Sequence, residues 1–169
     1  MVVADVDETP PMGPLRDAVR TIARRKAVAV AARGVVGTLL AADTVIDLDG
    51  ELLGKPSDGA DATRMLARLS GRAHAVHTGV ALLHTSASRT LCVDGVATST
   101  VHFRPLAAAE IAAYVATGEP FGKSGSYAIQ GGAARFMTRL DGDLDNVVGL
   151  PLALVQLLAA TLATRLRAG

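Results

Sequence analysis

The chain is 169 residues long, with a mass of 17.3 kDa, a size that suits one domain with a real core. Hydrophobic residues make up 50% of it and charged residues 20%, which excludes a disordered, self-repelling segment. A net charge of +1 and 3% aromatic residues, none of them tryptophan, leave neither the basic field that attracts nucleic acid nor the rings on which single strands stack.

Helical and extended patterns alternate along the chain. Pro14 to Arg33 predicts a helix, because Leu15, Val19, Ile22, Ala23, Lys26 and Val30 recur at spacings of three and four before Gly34. Val35 to Leu48 is rich in strand formers, and Asp49-Gly50 predicts a hairpin turn into Glu51, Leu52 and Leu53. Asp58 to Leu69 reads as a second helix, capped by Ser57 or Asp58, with Gly71 beyond its end. Ala73 to His84 and Thr90 to Phe103 read as two long strands joined as a hairpin. A third helix spans Leu106 to Thr117 and closes at Gly118; a short strand, Ala133 to Leu140, precedes the turn Asp141-Gly142-Asp143. With so few aromatic residues, the core is expected to be built from Ala, Val and Leu.

The most apolar stretch is Val147 to Leu166, and Pro151 suits a first helical turn. From Pro151 to Leu166 a helix covers about 24 Å, short of the ~30 Å of a bilayer core. The expectation is a buried carboxy-terminal helix and no membrane span. Met1 to Glu8 lacks the basic and apolar regions of a signal peptide. The single cysteine, Cys92, allows no internal disulfide and fits a reducing, cytoplasmic setting. Nothing repeats and no linker interrupts the pattern, so residues 1–169 read as one α/β domain with a mixed β-sheet flanked by helices.

Several motifs invite chemistry. Gly118 to Ser124 resembles a phosphate-binding P-loop, yet it has three residues between its glycines where that loop has four, and it follows a helix. Its Lys123 can still meet phosphate in a glycine-rich setting. His74 and His77 stand three apart on a strand and point to opposite faces, so they cannot share one ion. They, His84 and His102 read as surface or sheet-packing residues, and Cys92 as a packed thiol. No Gly-x-Ser-x-Gly elbow is present. Asp43 follows the apolar run Leu39-Leu40-Ala41-Ala42. A carboxylate there is costly to bury unless it binds a cation or moves a proton, and ligands gather at strand ends. A turn Asp capping a loop is the equal alternative. Asp7 and Glu8 form a second carboxylate pair, and Lys26, Lys55 and Lys123 are the only lysines among 17 basic residues.

These segments stand in an order that resembles a known family. Asp5-Val6-Asp7-Glu8, Ala42-Asp43-Thr44-Val45, Gly54-Lys55-Pro56, His77-Thr78-Gly79-Val80, Tyr114 to Pro120, Lys123 to Gly131 and Asn146 to Pro151 together resemble the Maf-like nucleoside triphosphate pyrophosphatases, or septum formation inhibitor proteins. The resemblance implies a two-lobed α/β fold, similar to inosine triphosphate pyrophosphatases. It also implies hydrolysis of a nucleoside triphosphate to the monophosphate and pyrophosphate with Mg²⁺ or Mn²⁺. Asp43 matches the family's proton acceptor, and Glu8 a conserved acidic residue suited to hold metal. Lys26, Lys55 and Lys123 match lysines of the phosphate site. Thr44 and Gln130 match positions tied to base choice, in the form of the branch acting on dTTP and UTP. Glu8 and Asp43 divide the tasks of metal ligand and base, in either assignment. The implied partner is the nucleotide, with no nucleic acid and no membrane, and family members often form homodimers.

Two departures accompany the resemblance. The family's Ser-x-Ser-Pro-Arg-Arg loop and its strand would precede Asp5, so the chain reads either as starting inside a longer frame or as a truncated form with impaired catalysis and lower stability. Gly122 stands where the family carries Asp. The alternative function is a nucleotide-binding regulator of cell division that no longer cleaves.

Overall fold

The computed structural model describes residues 6, 7, 9, 11, 13–87 and 89–168. The elements run α1 (Leu15–Ala31), β1 (Gly37–Leu48), β2 (Glu51–Leu53), α2 (Gly59–Leu69), β3 (Ala73–Thr85), β4 (Thr90–Phe103), α3 (Ala108–Ala116), β5 (Met137–Asp141), α4 (Leu144–Val148) and α5 (Leu152–Arg167). The five strands form one sheet in the order β2-β1-β3-β4-β5. The pairs β1–β2 and β4–β5 are antiparallel, with Asp47 opposite Leu52 and Val101 opposite Leu140. The α/β class and the helix-flanked sheet read from the sequence are the architecture observed, and its strands run antiparallel.

Local chemistry explains the boundaries. Asp49 and Gly50 both take positive φ, 57° and 85°, as the tight hairpin turn between β1 and β2 demands. The Asp47 carboxylate accepts the Gly50 N–H at 2.7 Å. Asp58 caps α2 by accepting the Asp61 N–H at 2.7 Å. At α3, Glu110 accepts the Ala107 N–H at 3.1 Å and two bonds from the Arg104 guanidinium. Those contacts, the guanidinium first, hold the Glu110 carboxyl down to about 2.

The chain divides into two compact units. The first comprises residues 1–43, 78–97 and 149–169. Its core matches the expected Ala, Val and Leu chemistry. α1 lays Ala23 and Ala27 against Ala81 and Leu83, with Leu39, Ala41 and Cys92 beside them. α5 lays Leu158 and Leu162 against Val80, Leu82 and Val93, with Ala42 beside them. Consecutive strand residues project to opposite faces, so Ala41 and Ala42 place α1 and α5 on opposite sides of the same strands. α5 is less buried than its apolarity predicts: only Leu158 and Leu162 are fully covered, and Leu152 and Leu157 are exposed.

The second unit comprises residues 44–77 and 98–148. Here the aliphatic expectation fails, because four of the chain's five aromatic residues gather in this one core. Phe103 meets Tyr127 edge-on at 5.0 Å and His74 at 5.1 Å, and Tyr114 meets Phe136 at 5.2 Å. Ile46, Leu48, Leu66, Leu69 and Val76 fill the space around them. The expected strand from Ala133 to Leu140 is also corrected. Gly132–Phe136 is a 3₁₀ turn, and β5 begins only at Met137, because Ala133 and Phe136 both turn inward to the core rather than alternating. The short helix α4 was not legible: five residues are too few to show a period.

His74 is buried among these rings, and its Nε2 lies 2.8 Å from the Tyr127 hydroxyl. Burial, with a smaller contribution from His102, pushes its pKa down from 6.5 to about 4. Between those values the unfolded chain takes up a proton that the folded chain refuses, so stability falls as the pH drops from 6.5 towards 4. Urea midpoints measured across that range are expected to fall by the equivalent of about 3 kcal/mol at most for this group, and His74→Gln is expected to flatten the fall.

Candidate functional site

In the first unit, α1 carries Lys26 to Asp43. Small residues make this reach feasible. A Cβ on Gly79 would stand 2.5 Å from the Val19 carbonyl oxygen, so the helix backbone rests directly on β3 at that point, and Ala23 and Ala27 continue the close approach. The Lys26 ammonium then donates to Asp43 Oδ1 at 2.6 Å. Both side chains are mostly withdrawn from water, at 18% and 13% exposed. Asp43 lies in the middle of β1. This corrects both sequence readings of its place, the strand end and the loop cap: the strand continues to Leu48 because Ile46 and Leu48 still find the aromatic core.

Asp43 is followed by Thr44, the first residue of the second unit. By the alternation of β1, the Thr44 side chain leaves from the face opposite Asp43. The Thr44 carbonyl accepts the Ser124 hydroxyl at 3.2 Å, and the Gly125 N–H donates to the Gly54 carbonyl at 3.0 Å. These two bonds tie the residues that follow Lys123 to the strand that bears Thr44 and to the residue before Lys55. Gly125 sits at φ +69°, where its missing Cβ would strike Ile46 at 2.8 Å, and the next residue, Ser126, is also left-handed at φ +63°. Lys123 therefore projects from a tightly specified turn. Gln130 is exposed on the next stretch of chain.

The structure thus brings Lys26 to Asp43, and links the segments of Lys55, Lys123 and Thr44. Glu8 lies outside the described residues. The neighbouring Asp7 accepts the Thr9 N–H at 2.8 Å. The Thr9 side chain first, and then that backbone contact, hold the Asp7 carboxyl below its usual value. Among the described residues no group of three or more His, Cys, Asp or Glu side chains is arranged to hold a metal ion, and no helix is long and apolar enough to cross a membrane.

Two features escaped sequence reasoning. His77 spans its neighbours: its Nδ1 lies 2.8 Å from Thr98 Oγ1 and its Nε2 3.5 Å from Asp47 Oδ2. It faces away from His74, as the spacing of three predicts, but nothing in the sequence marks Asp47 and Thr98 as its partners. Glu119 receives the Gly132 N–H on both carboxylate oxygens, at 3.2 and 2.9 Å. The only signal for that contact is the glycine pair Gly131-Gly132 twelve residues on.

Known proteins resemble this chain over most of its length. A family profile described as Maf-like protein matches residues 1–162. A dTTP/UTP pyrophosphatase of Geobacter metallireducens is 50% identical over 151 residues, covering 88% of this chain and 77% of the relative. One from Salinibacter ruber is 49% identical over 170 residues, covering 98% and 82%. One from Pelotomaculum thermopropionicum is 48% identical over 154 residues, covering 90% and 80%.

The geometry at Gly79 carries a prediction. Gly79→Val would force α1 away from β3 and separate Lys26 from Asp43. Overpacking of this kind costs about 1–3 kcal/mol or more, read as a lower thermal midpoint. Leu157→Ala, on the exposed side of α5, is expected to stay within about 0.5 kcal/mol of the parent.

Proposed function

This chain belongs to the Maf-like protein family, and from that premise we propose that it is a nucleoside triphosphate pyrophosphatase acting on dTTP and UTP. The observation that carries the reading is identity of about one half, over nearly the whole chain, to relatives bearing that name. The relatives give a binding-only regulator of division no support.

The chemistry suits the residues. Phosphate oxygens shield the α-phosphorus and repel a nucleophile. Lys55 and Lys123 offset that charge as the triphosphate binds. Asp43 orients a water molecule and accepts its proton, the water oxygen bonds to the α-phosphorus, and the bond to the bridging oxygen breaks. The products are the monophosphate and pyrophosphate. Lys26, bonded to Asp43 Oδ1, fixes the carboxylate's orientation. Gln130 offers an amide with a donor and an acceptor, which suits a pyrimidine edge, and Thr44 belongs to the same choice of base.

A hard dication fits this donor set. Asp43 is an oxygen ligand, and Mg²⁺ or Mn²⁺ binds through one or two carboxylates while taking its remaining ligands from water and phosphate. Asp43, with Glu8, would hold it. When bound, such an ion draws negative charge from the phosphate oxygens. The single cysteine suits a cytoplasmic setting.

The test is pyrophosphate and dTMP release from dTTP in Mg²⁺ or Mn²⁺. Asp43→Asn is expected to lower turnover by roughly 10²–10⁴-fold while the thermal melt still shows a cooperative fold. Turnover at the parent rate would remove Asp43 from the chemistry.

A further inference from the structure

Gln130 is exposed, and its side chain makes no hydrogen bond to another described residue. Its placement therefore depends on the backbone that carries it. That backbone is held from within the second unit at two points. The Tyr114 hydroxyl, on a fully buried ring, accepts the Ala128 N–H at 2.9 Å. The Glu119 carboxylate accepts the Gly132 N–H on both oxygens. The two anchor points bracket Ile129, Gln130 and Gly131.

Glu119 is itself fixed. Its N–H donates to Thr117 Oγ1 at 3.2 Å, and that hydroxyl donates back to the Tyr114 carbonyl at 2.7 Å. The carboxylate sits so close under the strap that a Cβ on Gly131 would meet Glu119 Oε2 at 2.5 Å, and one on Gly132 would meet the Tyr114 ring at 3.3 Å. Two glycines here admit a carboxylate and a ring against the main chain. Burial, aided by Glu119, pushes the Tyr114 hydroxyl up to about 12, so it remains a neutral phenol throughout the working range.

We propose that Glu119 is a positioning residue for base choice: its carboxylate clamps the Gly131-Gly132 backbone and so sets where the Gln130 amide meets the pyrimidine. The proposal rests on the pyrophosphatase reading and on Gln130 as the base reader. Glu119 touches no substrate. Its loss loosens the strap, which weakens recognition of the cognate base and leaves the hydrolytic step intact.

The experiment compares the parent chain with Glu119→Ala, Glu119→Gln, Gly131→Ala, Gln130→Ala and the double variant Glu119→Ala/Gly131→Ala. Each is assayed with dTTP and with dGTP, alongside amide hydrogen exchange over residues 128–132. For Glu119→Ala, KM for dTTP is expected to rise about tenfold with kcat little changed and dGTP kinetics unmoved, a loss of the size expected when a base-reading contact is misplaced. Exchange at the Gly132 amide should accelerate. Glu119→Gln keeps one acceptor oxygen and should largely restore the parent values. Gly131→Ala should resemble Glu119→Ala, and the double variant should be no worse than either single one, because both remove the same clamp. Equal losses of kcat on both nucleotides, or unchanged exchange at Gly132, would overturn the proposal. A parent chain inert towards dTTP would instead defeat the pyrophosphatase reading, and a Gln130→Ala variant with parental selectivity would defeat the base-reader role. In the first case exchange alone decides whether Glu119 holds the strap.

Discussion

An ammonium and a carboxylate in contact at 2.6 Å, each more than four-fifths withdrawn from water, constrain how the first unit packs. A charge in such a place costs several kcal/mol if its partner is removed, so the packing that brings Lys26 to Asp43 cannot drift. The packing answers with small residues. Gly79 lets the α1 backbone touch β3, and Ala23, Ala27 and Ala81 keep the helix down along its length. The alanine-rich composition, which at first reads only as a scarcity of aromatic residues, is the means of this approach. A larger side chain at any of these places lengthens the distance that Lys26 must span.

The second unit achieves order by other means. Its core concentrates the aromatic residues, and its loops are fixed by main-chain bonds and strained turns. Two left-handed residues, Gly125 and Ser126, stand in the turn after Lys123, and the turn is bonded to the carbonyls of Thr44 and Gly54. Gln130 is carried on a strap bonded at both ends. The exposed side chains of Lys123 and Gln130 are thus set on rigid backbone while their tips stay in water. That division suits a binding surface, because the conformational entropy of the loop is already spent before a ligand arrives.

Much of this was legible beforehand. The helices from Leu15, Gly59 and Ala108 and the strands β1 to β4 follow from period, caps and the Asp49-Gly50 turn, all of which act within a few residues. The order of short motifs pointed to the family that the comparisons then established. The misreadings share a cause in long-range packing. Asp43 continues a strand because residues three and five further on reach a core assembled from distant segments. Ala133 and Phe136 form a 3₁₀ turn because that same core draws them both inward. The Glu119 clamp and the His77 contacts join residues with no common pattern, so no window of sequence could display them.

The most direct test of the account is a crystal structure of the full chain with Mn²⁺ and α,β-imido-dTTP, an analogue whose bridging nitrogen resists hydrolysis. The α-phosphate is expected beside the Asp43 carboxylate, with the Lys55 and Lys123 ammonium groups on the phosphate oxygens. A triphosphate tail bound firmly elsewhere, with Asp43 still engaged only by its protein neighbours, would contradict it.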